Sequence, residues 1–137
     1  MPYGIYLQKS MLDYAFKGAA APTIINYGLG LSLGVPNSTS ASEIAVGSSN
    51  VTRQTLCVSP GAWSAASTPA SSGFVVNLTA ATFSNLSAGS FSGCQIWDTG
   101  VTAGGNMLCG GSLANARTTL AGDSLVCAVA ALTVSLA

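Results

Sequence analysis

An antiparallel β-sandwich, jelly-roll-like, of about seven or eight strands and led by one N-terminal helix, is the fold this sequence predicts. From residue 23 onward, apolar residues alternate with a period of two, the side-chain repeat of a strand. Segments rich in Gly, Pro, Ser and Asn punctuate that alternation. The helical period of 3.6 is found in the first twenty residues alone, so no helices stand between strands as an α/β fold would require. With 137 residues the chain fits one compact body, divided here into an arm, helix and linker over residues 1–22 and a β-sandwich over residues 23–137.

The helix is expected over residues 6–17, where Leu7, Met11, Tyr14 and Ala15 recur at three- and four-residue spacings and Gly18 supplies the stop. Pro2 and Gly4 keep the preceding residues as a short arm carrying Tyr3 and Ile5. The first strand follows Pro22. Ile25, Tyr27, Leu29, Leu31 and Leu33 alternate with Asn26, Gly28, Gly30 and Ser32, a half-buried pattern whose small face lets another backbone approach. Residues 34–50 read as a loop, with brief pairing expected near residues 43–46, and residues 52–58 as the second strand.

Residues 59–73 form a long excursion carrying Trp63, and long loops on a rigid sheet are where binding residues tend to sit. A strand over residues 74–79 puts Phe74, Val76 and Leu78 on one face, and a short one follows at 82–86. Residues 91–98 and 107–113 read as a hairpin across a glycine-rich turn. The last strand is expected over residues 124–136, its even row Val126, Ala128, Ala130, Leu132, Val134 and Leu136 apolar throughout, with its first half buried on both faces.

Charge is scarce. Lys9, Lys17, Arg53 and Arg117 balance Asp13, Glu43, Asp98 and Asp123, so the basic clusters that bind nucleic acid or anionic membranes are absent. No apolar run reaches the length of a membrane span. A globule of this size exposes roughly 6,500 Å², which leaves about one charge per 800 Å², one partner's share of a standard interface. Soluble monomers carry far more charge. The chain therefore reads as built to associate, against the alternative of a monomer coated in Ser, Thr, Asn and Gly.

The chemistry available is narrow, because a chain without histidine has no Ser-His-Asp or Cys-His site. Glu43, Asp98 and Asp123 are the only carboxylates a glycosidase could pair outside the helix, and no local motif joins them. Cys57, Cys94, Cys109 and Cys127 are too widely spaced for a structural zinc site. Residues 1–20 lack the layout of a secretory signal, so these cysteines are expected to be reduced core thiols. No cofactor or metal is expected. Four Asn-x-Ser/Thr sequons, at Asn37, Asn50, Asn77 and Asn85, are assigned no role. Arg53, in an otherwise uncharged strand, is expected to pair with Glu43 or Asp98 at the core margin, or else to meet a partner.

Taken whole, the chain resembles a family of small tailed-phage virion proteins, labelled tail-fibre proteins and in some phages understood as capsid decoration or cement proteins. The resemblance is distributed over Tyr6-Leu7-Gln8-Lys9-Ser10-Met11-Leu12-Asp13, Ala21-Pro22-Thr23-Ile24-Ile25-Asn26-Tyr27-Gly28-Leu29 and Thr52-Arg53-Gln54-Thr55-Leu56. It continues through Asp98 with Gly105-Asn106-Met107-Leu108, and through Gly122-Asp123-Ser124-Leu125. Val51 stands where the family often has an aromatic residue, and Phe91 or a neighbour where it often has Trp.

The resemblance implies a homo-oligomer, with a trimer as the expected form, seated on the virion after assembly in the host bacterial cytoplasm. The first functional expectation is a non-enzymatic decoration protein that binds the major capsid protein or another virion protein and stabilises the lattice. The alternative is a tail, neck or fibre protein involved in attachment to host surface sugars, with Trp63 and Trp97 as stacking platforms. Interface residues are expected at Tyr3, Ile5, Tyr6, Leu7 and Trp63, since aromatic anchors dominate interfaces. Tyr6 and Leu7 have a competing reading, in which the helix closes one end of the sandwich.

Overall fold

The computed structural model describes residues 3–20, 26–34, 36, 53–57, 63–65, 73–101 and 104–135. Among them are one helix, α1 (Ile5–Lys17), and eight strands: β1 (Tyr27–Ser32), β2 (Gln54–Cys57), β3 (Phe74–Val76), β4 (Ala81–Leu86), β5 (Gly89–Trp97), β6 (Met107–Thr119), β7 (Asp123–Cys127) and β8 (Thr133–Ser135). One layer is a four-stranded antiparallel sheet in the order β2-β1-β5-β6. The opposing layer is made of two antiparallel ribbons, β4-β7 and β3-β8. The architecture is the predicted antiparallel sandwich with its leading helix.

The core lies between these layers. Leu29 and Leu31 from β1, Phe91, Cys94 and Ile96 from β5, and Leu108 and Cys109 from β6 meet Ala81, Phe83 and Leu86 from β4 and Leu132. Alternation accounts for the inward rows: β4 buries Ala81 and Phe83 while Thr82 and Ser84 face out.

The other face of the four-stranded sheet is also covered, which the half-buried reading of β1 did not anticipate. Gly28, Gly30 and Ser32 are buried as fully as Leu29 and Leu31. Pro36, itself fully buried, lies across Gly93 and Gly110, and the Ser32 hydroxyl donates to the Gly34 carbonyl at 2.7 Å. A Cβ on Gly110 would stand 2.8 Å from Pro36 Cβ and 2.9 Å from its Cγ. The small face invites close approach as expected, and the backbone that fills it is the chain's own. Leu33, placed inward by the sequence pattern, is exposed because β1 ends at Ser32.

The predicted final strand is broken in two. Asn77 causes the break: its side-chain Nδ2 donates to Thr79 and Ala128 carbonyls at 2.8 Å each, and its Oδ1 accepts the Leu132 N–H at 2.8 Å. Its own carbonyl accepts the Ala130 N–H, also at 2.8 Å, at a residue with φ 61°. These bonds turn residues 128–132, so β7 and β8 join different ribbons. Leu125 and Cys127, in the odd row, consequently pack against the core, and Val126 and Val129 are exposed instead of buried. The same turn leaves Leu78 exposed, outside the three-residue β3.

The predicted hairpin is present and longer than expected, pairing β5 with β6 from Gly89↔Thr119 to Trp97↔Met107. Between Phe91↔Arg117 and Gly93↔Ser112 the register shifts, and residues 113–116 of β6 form a wide bulge.

Gly110→Ala should therefore destabilise the protein by about 1–3 kcal/mol through overpacking against Pro36. Gly34→Ala, which meets nothing within 4 Å, should stay within about 0.5 kcal/mol of the parent. Urea denaturation of both variants measures the difference.

Candidate interaction surface

The N-terminal arm is attached to the free edge of β6. Tyr3 makes an antiparallel bridge with Cys109, and the Gly4 N–H donates to the Leu108 carbonyl at 2.7 Å. The Tyr3 hydroxyl donates to the Ser135 carbonyl, tying the arm to β8 as well. Gly4 is the residue before the helix, and its carbonyl accepts the Gln8 N–H at 3.1 Å. At the other end Gly18 adopts a left-handed conformation, and the Ala19 N–H closes on the Asp13 carbonyl at 3.2 Å.

Most of α1 is exposed. No residue of the helix is fully buried; Leu7 is the member that packs against the core. Met11 and Tyr14, which recur with Leu7 at helical spacing, are 42% and 56% exposed, and Ala15 is exposed too. Leu12 and Phe16 are 59% and 81% exposed. The main-chain ties to β6 come from the arm, at Tyr3 and Gly4.

Of the residues expected at an interface, Ile5 and Tyr6 are exposed on this helix, while Tyr3 and Leu7 divide their surface between solvent and the protein's own core. Trp63 belongs to another neighbourhood. It bridges to Asn77, packs on the core and meets Tyr27 edge-on at 5.8 Å between centroids. Its indole nitrogen is buried without a hydrogen-bond partner. Met11, Leu12, Tyr14 and Phe16 were not singled out as contact residues. The signal for them is the width of the apolar arc, which runs roughly 200° around the helix from Tyr14 through Met11 and Leu12 to Phe16, where a single core-facing stripe needs about 100°.

The remaining 160° carries Lys9, Ser10, Asp13 and Lys17 with Tyr6 among them, and its two lysines share one aspartate. Asp13 binds Lys9 and Lys17, with 3.0 Å to the latter, one turn away on either side. The hydrogen bonds from Lys9 and then Lys17 hold the Asp13 carboxyl below its ordinary range. Three of the chain's eight charges are thus concentrated on one strip of α1.

The carboxylates considered for catalysis serve as turn caps. Asp98 accepts the Asn106 N–H at 2.7 Å and its Nδ2 at 2.8 Å, and Asp123 accepts the Leu120 N–H at 2.8 Å. They stand at opposite ends of the β5-β6 hairpin, roughly 30 Å apart by strand rise, against the 5–10 Å that a glycosidase pair requires. Glu43 lies outside the described residues. Among the described residues no group of three or more His, Cys, Asp or Glu side chains is placed to hold a metal.

Arg53 is 6% exposed and organises the loop after β5. Its Nη1 donates to the carbonyls of Val101 at 2.6 Å, Gly104 at 2.5 Å and, more weakly, Thr99 at 3.5 Å. Its guanidinium lies 3.7 Å from the centre of the Trp97 ring, so one face of that indole is occupied by the protein itself. Replacing Arg53 with Gln should cost about 2–3 kcal/mol, the usual range for a charged hydrogen-bonding group. Hydrogen exchange at the Gly104 and Asn106 amides should quicken about tenfold or more as the loop loosens.

Cys94, Cys109 and Cys127 are free thiols, the first two buried. Burial, reinforced by neighbouring thiols, pushes Cys94 up to about 11 and Cys109 up to about 12. Burial also raises Tyr3, with Cys109 adding to the effect. Because the unfolded thiols ionise near pH 8.5, the unfolded state loses protons first as pH rises. Stability should therefore be level from about pH 6 to 8 and fall from about pH 9 toward 11 and 12. Cys109→Ala should flatten that alkaline decline when urea midpoints are compared across pH.

No curated protein matches this chain. The profile of the family described as Podophage GP4 fiber I protein gp80 matches residues 3–135, from the arm to the end of β8. That span takes in the helix, both layers of the sandwich and the Arg53 loop, and the chain belongs to this family of tailed-phage virion structural proteins.

Proposed function

We propose that this protein is a fibre-associated structural subunit of a podophage virion, that it works by self-association and docking, and that it carries no catalytic step of its own. The observation that carries this reading is the outward-turned apolar helix on a body with eight charges. Burying such a surface contributes roughly 25 cal/mol per Å² before association and ordering costs are subtracted. The family description favours the fibre over the capsid shell as the place where this happens.

A second apolar group suits a second neighbour. Asn77 ties its own segment to residues 128–132, and Leu78, Val126 and Val129 on these segments are all exposed. One face then serves copies of the chain, a trimer being the expected assembly, and the other a larger virion protein. Capsid decoration, with the major capsid protein as partner, uses the same physics at a different address. In either case assembly takes place in the host cytoplasm.

Labelling the chain in intact particles and imaging them by cryo-electron microscopy separates these addresses. Label at the tail and its fibres is the expected result. Label repeated with the symmetry of the shell would replace the fibre placement with decoration, and particles devoid of the chain would remove both.

A further inference from the structure

The edge of β6 holds a seat for the N-terminal arm, and the structure shows which segment fits it. We propose that this seat is also filled in trans, the arm and α1 of one copy docking on the β6 edge of a second copy. The inference rests on the self-association proposed above and deepens it by naming the joint.

The seat is specific to its occupant. Tyr3 bridges to Cys109, the Gly4 N–H donates to the Leu108 carbonyl, and the Tyr3 hydroxyl donates to the Ser135 carbonyl. The arm lies so close to β6 that a Cβ on Gly4 would collide with the Met107 carbonyl oxygen. A backbone approach of that kind, beside an aromatic side chain that packs on the core, selects Tyr followed by Gly.

The remaining ties of this segment are internal to it. Gln8 donates back to the Tyr3 carbonyl, Lys9 and Lys17 share Asp13, and the Ala19 N–H closes on the Asp13 carbonyl. No residue of the helix is fully buried. Among the described residues, Tyr3 and Gly4 make the hydrogen bonds from this segment to the body, and Leu7 is the helix residue that packs on the core. Residues 3–18 can therefore leave β6 as one piece that keeps its own shape.

A second copy offers the same seat, so docking in trans remakes the same bonds and requires no new complementarity. The two arrangements differ in the tether, residues 18–26, which in cis gives the arm an effective concentration on the order of millimolar. Copies held side by side on one particle meet at comparable concentration, and there exchange costs little. Tyr3 and Leu7, which the sequence places at an interface and the fold places against the core, fit both descriptions in an exchanged arm.

A cross-link reads the connection. Tyr3 and Cys109 form a non-hydrogen-bonded pair, in which opposed side chains stand closest, so Tyr3→Cys provides a disulfide partner for Cys109 under oxidised glutathione. The full-length variant, in isotopically heavy and light forms, is mixed, unfolded in urea, refolded at about 10 μM and at about 1 mM, and then oxidised. Peptide mass spectrometry should find position 3 joined to Cys109 in both samples, with heavy–light pairs rising about tenfold or more at the higher concentration. Adding Gly4→Ala should reduce the cross-link about tenfold or more, because the arm no longer seats. Pairs confined to heavy–heavy and light–light at the higher concentration, no link to Cys109, or a link indifferent to Gly4→Ala would overturn the proposal. Should Tyr3→Cys fail to refold, isotope-filtered NMR of a mixed parent sample replaces it: contacts between Tyr3 of a light copy and Cys109 of a heavy one are expected, and their absence overturns the proposal. Chains that assemble without exchanging arms would sink this inference and leave self-association standing, whereas chains that stay monomeric at the higher concentration would remove both.

Discussion

The middle of the four-stranded sheet, across β1, the second half of β5 and the first half of β6, is buried on both faces, and the remainder of the structure is arranged around that constraint. One face holds large apolar side chains, Leu29, Leu31, Phe91 and Ile96, and makes the core with β4 and β7. The other is floored by Gly28, Gly30, Gly93 and Gly110, and it is closed by Pro36 and by the loop that Arg53 gathers. Buried Gln95 lies on this second face, where it accepts the Trp97 indole N–H at 3.2 Å. A sheet with solvent on one side needs polar side chains there; this one substitutes its own backbone and so needs few charges. Low charge and glycine content are therefore two consequences of one design.

The same economy decides what the polar residues do. Asp98 and Asp123 cap turns, Arg53 collects loop carbonyls, and Asn77 satisfies a chain reversal with three side-chain hydrogen bonds. Each is engaged in holding backbone, which is why the scattered carboxylates of the sequence do not converge on a reaction centre among the described residues. The thiols follow suit, since burial keeps Cys94 and Cys109 protonated and unreactive near neutral pH.

Much of this was legible in the residues themselves. The β5-β6 hairpin could be read because alternation and a glycine-rich turn agree, and the helix because Gly18 ends a clear 3.6-residue period. Burial was legible only in part. The even row of residues 126–136 looks continuous in sequence, yet a single buried amide fifty residues away turns the chain within it. Tertiary hydrogen bonding of that kind leaves no trace in local periodicity. Likewise, periodicity located the stripe of Leu7, Met11 and Tyr14 but could not say how much of it the body would reach. The exposed set at Leu12 and Phe16 needed a different question, how wide an apolar arc one core can use.

A thirteen-residue helix is marginal in water when isolated, and most helical stability comes from packing an apolar face. Here packing is confined to Leu7, so the ordering of α1 rests on other ties. Gly4 hydrogen-bonds β6 and Tyr3 spans from Cys109 to Ser135, while Gln8 Nε2 donates back to the Tyr3 carbonyl at 2.8 Å. Lys9, Asp13 and Lys17 brace the middle and Gly18 closes the end. These ties fix the root of the helix and its shape, and leave most of its apolar arc facing outward. Polar ties at the arm and along the helix therefore stand in for the packing that most helices rely on.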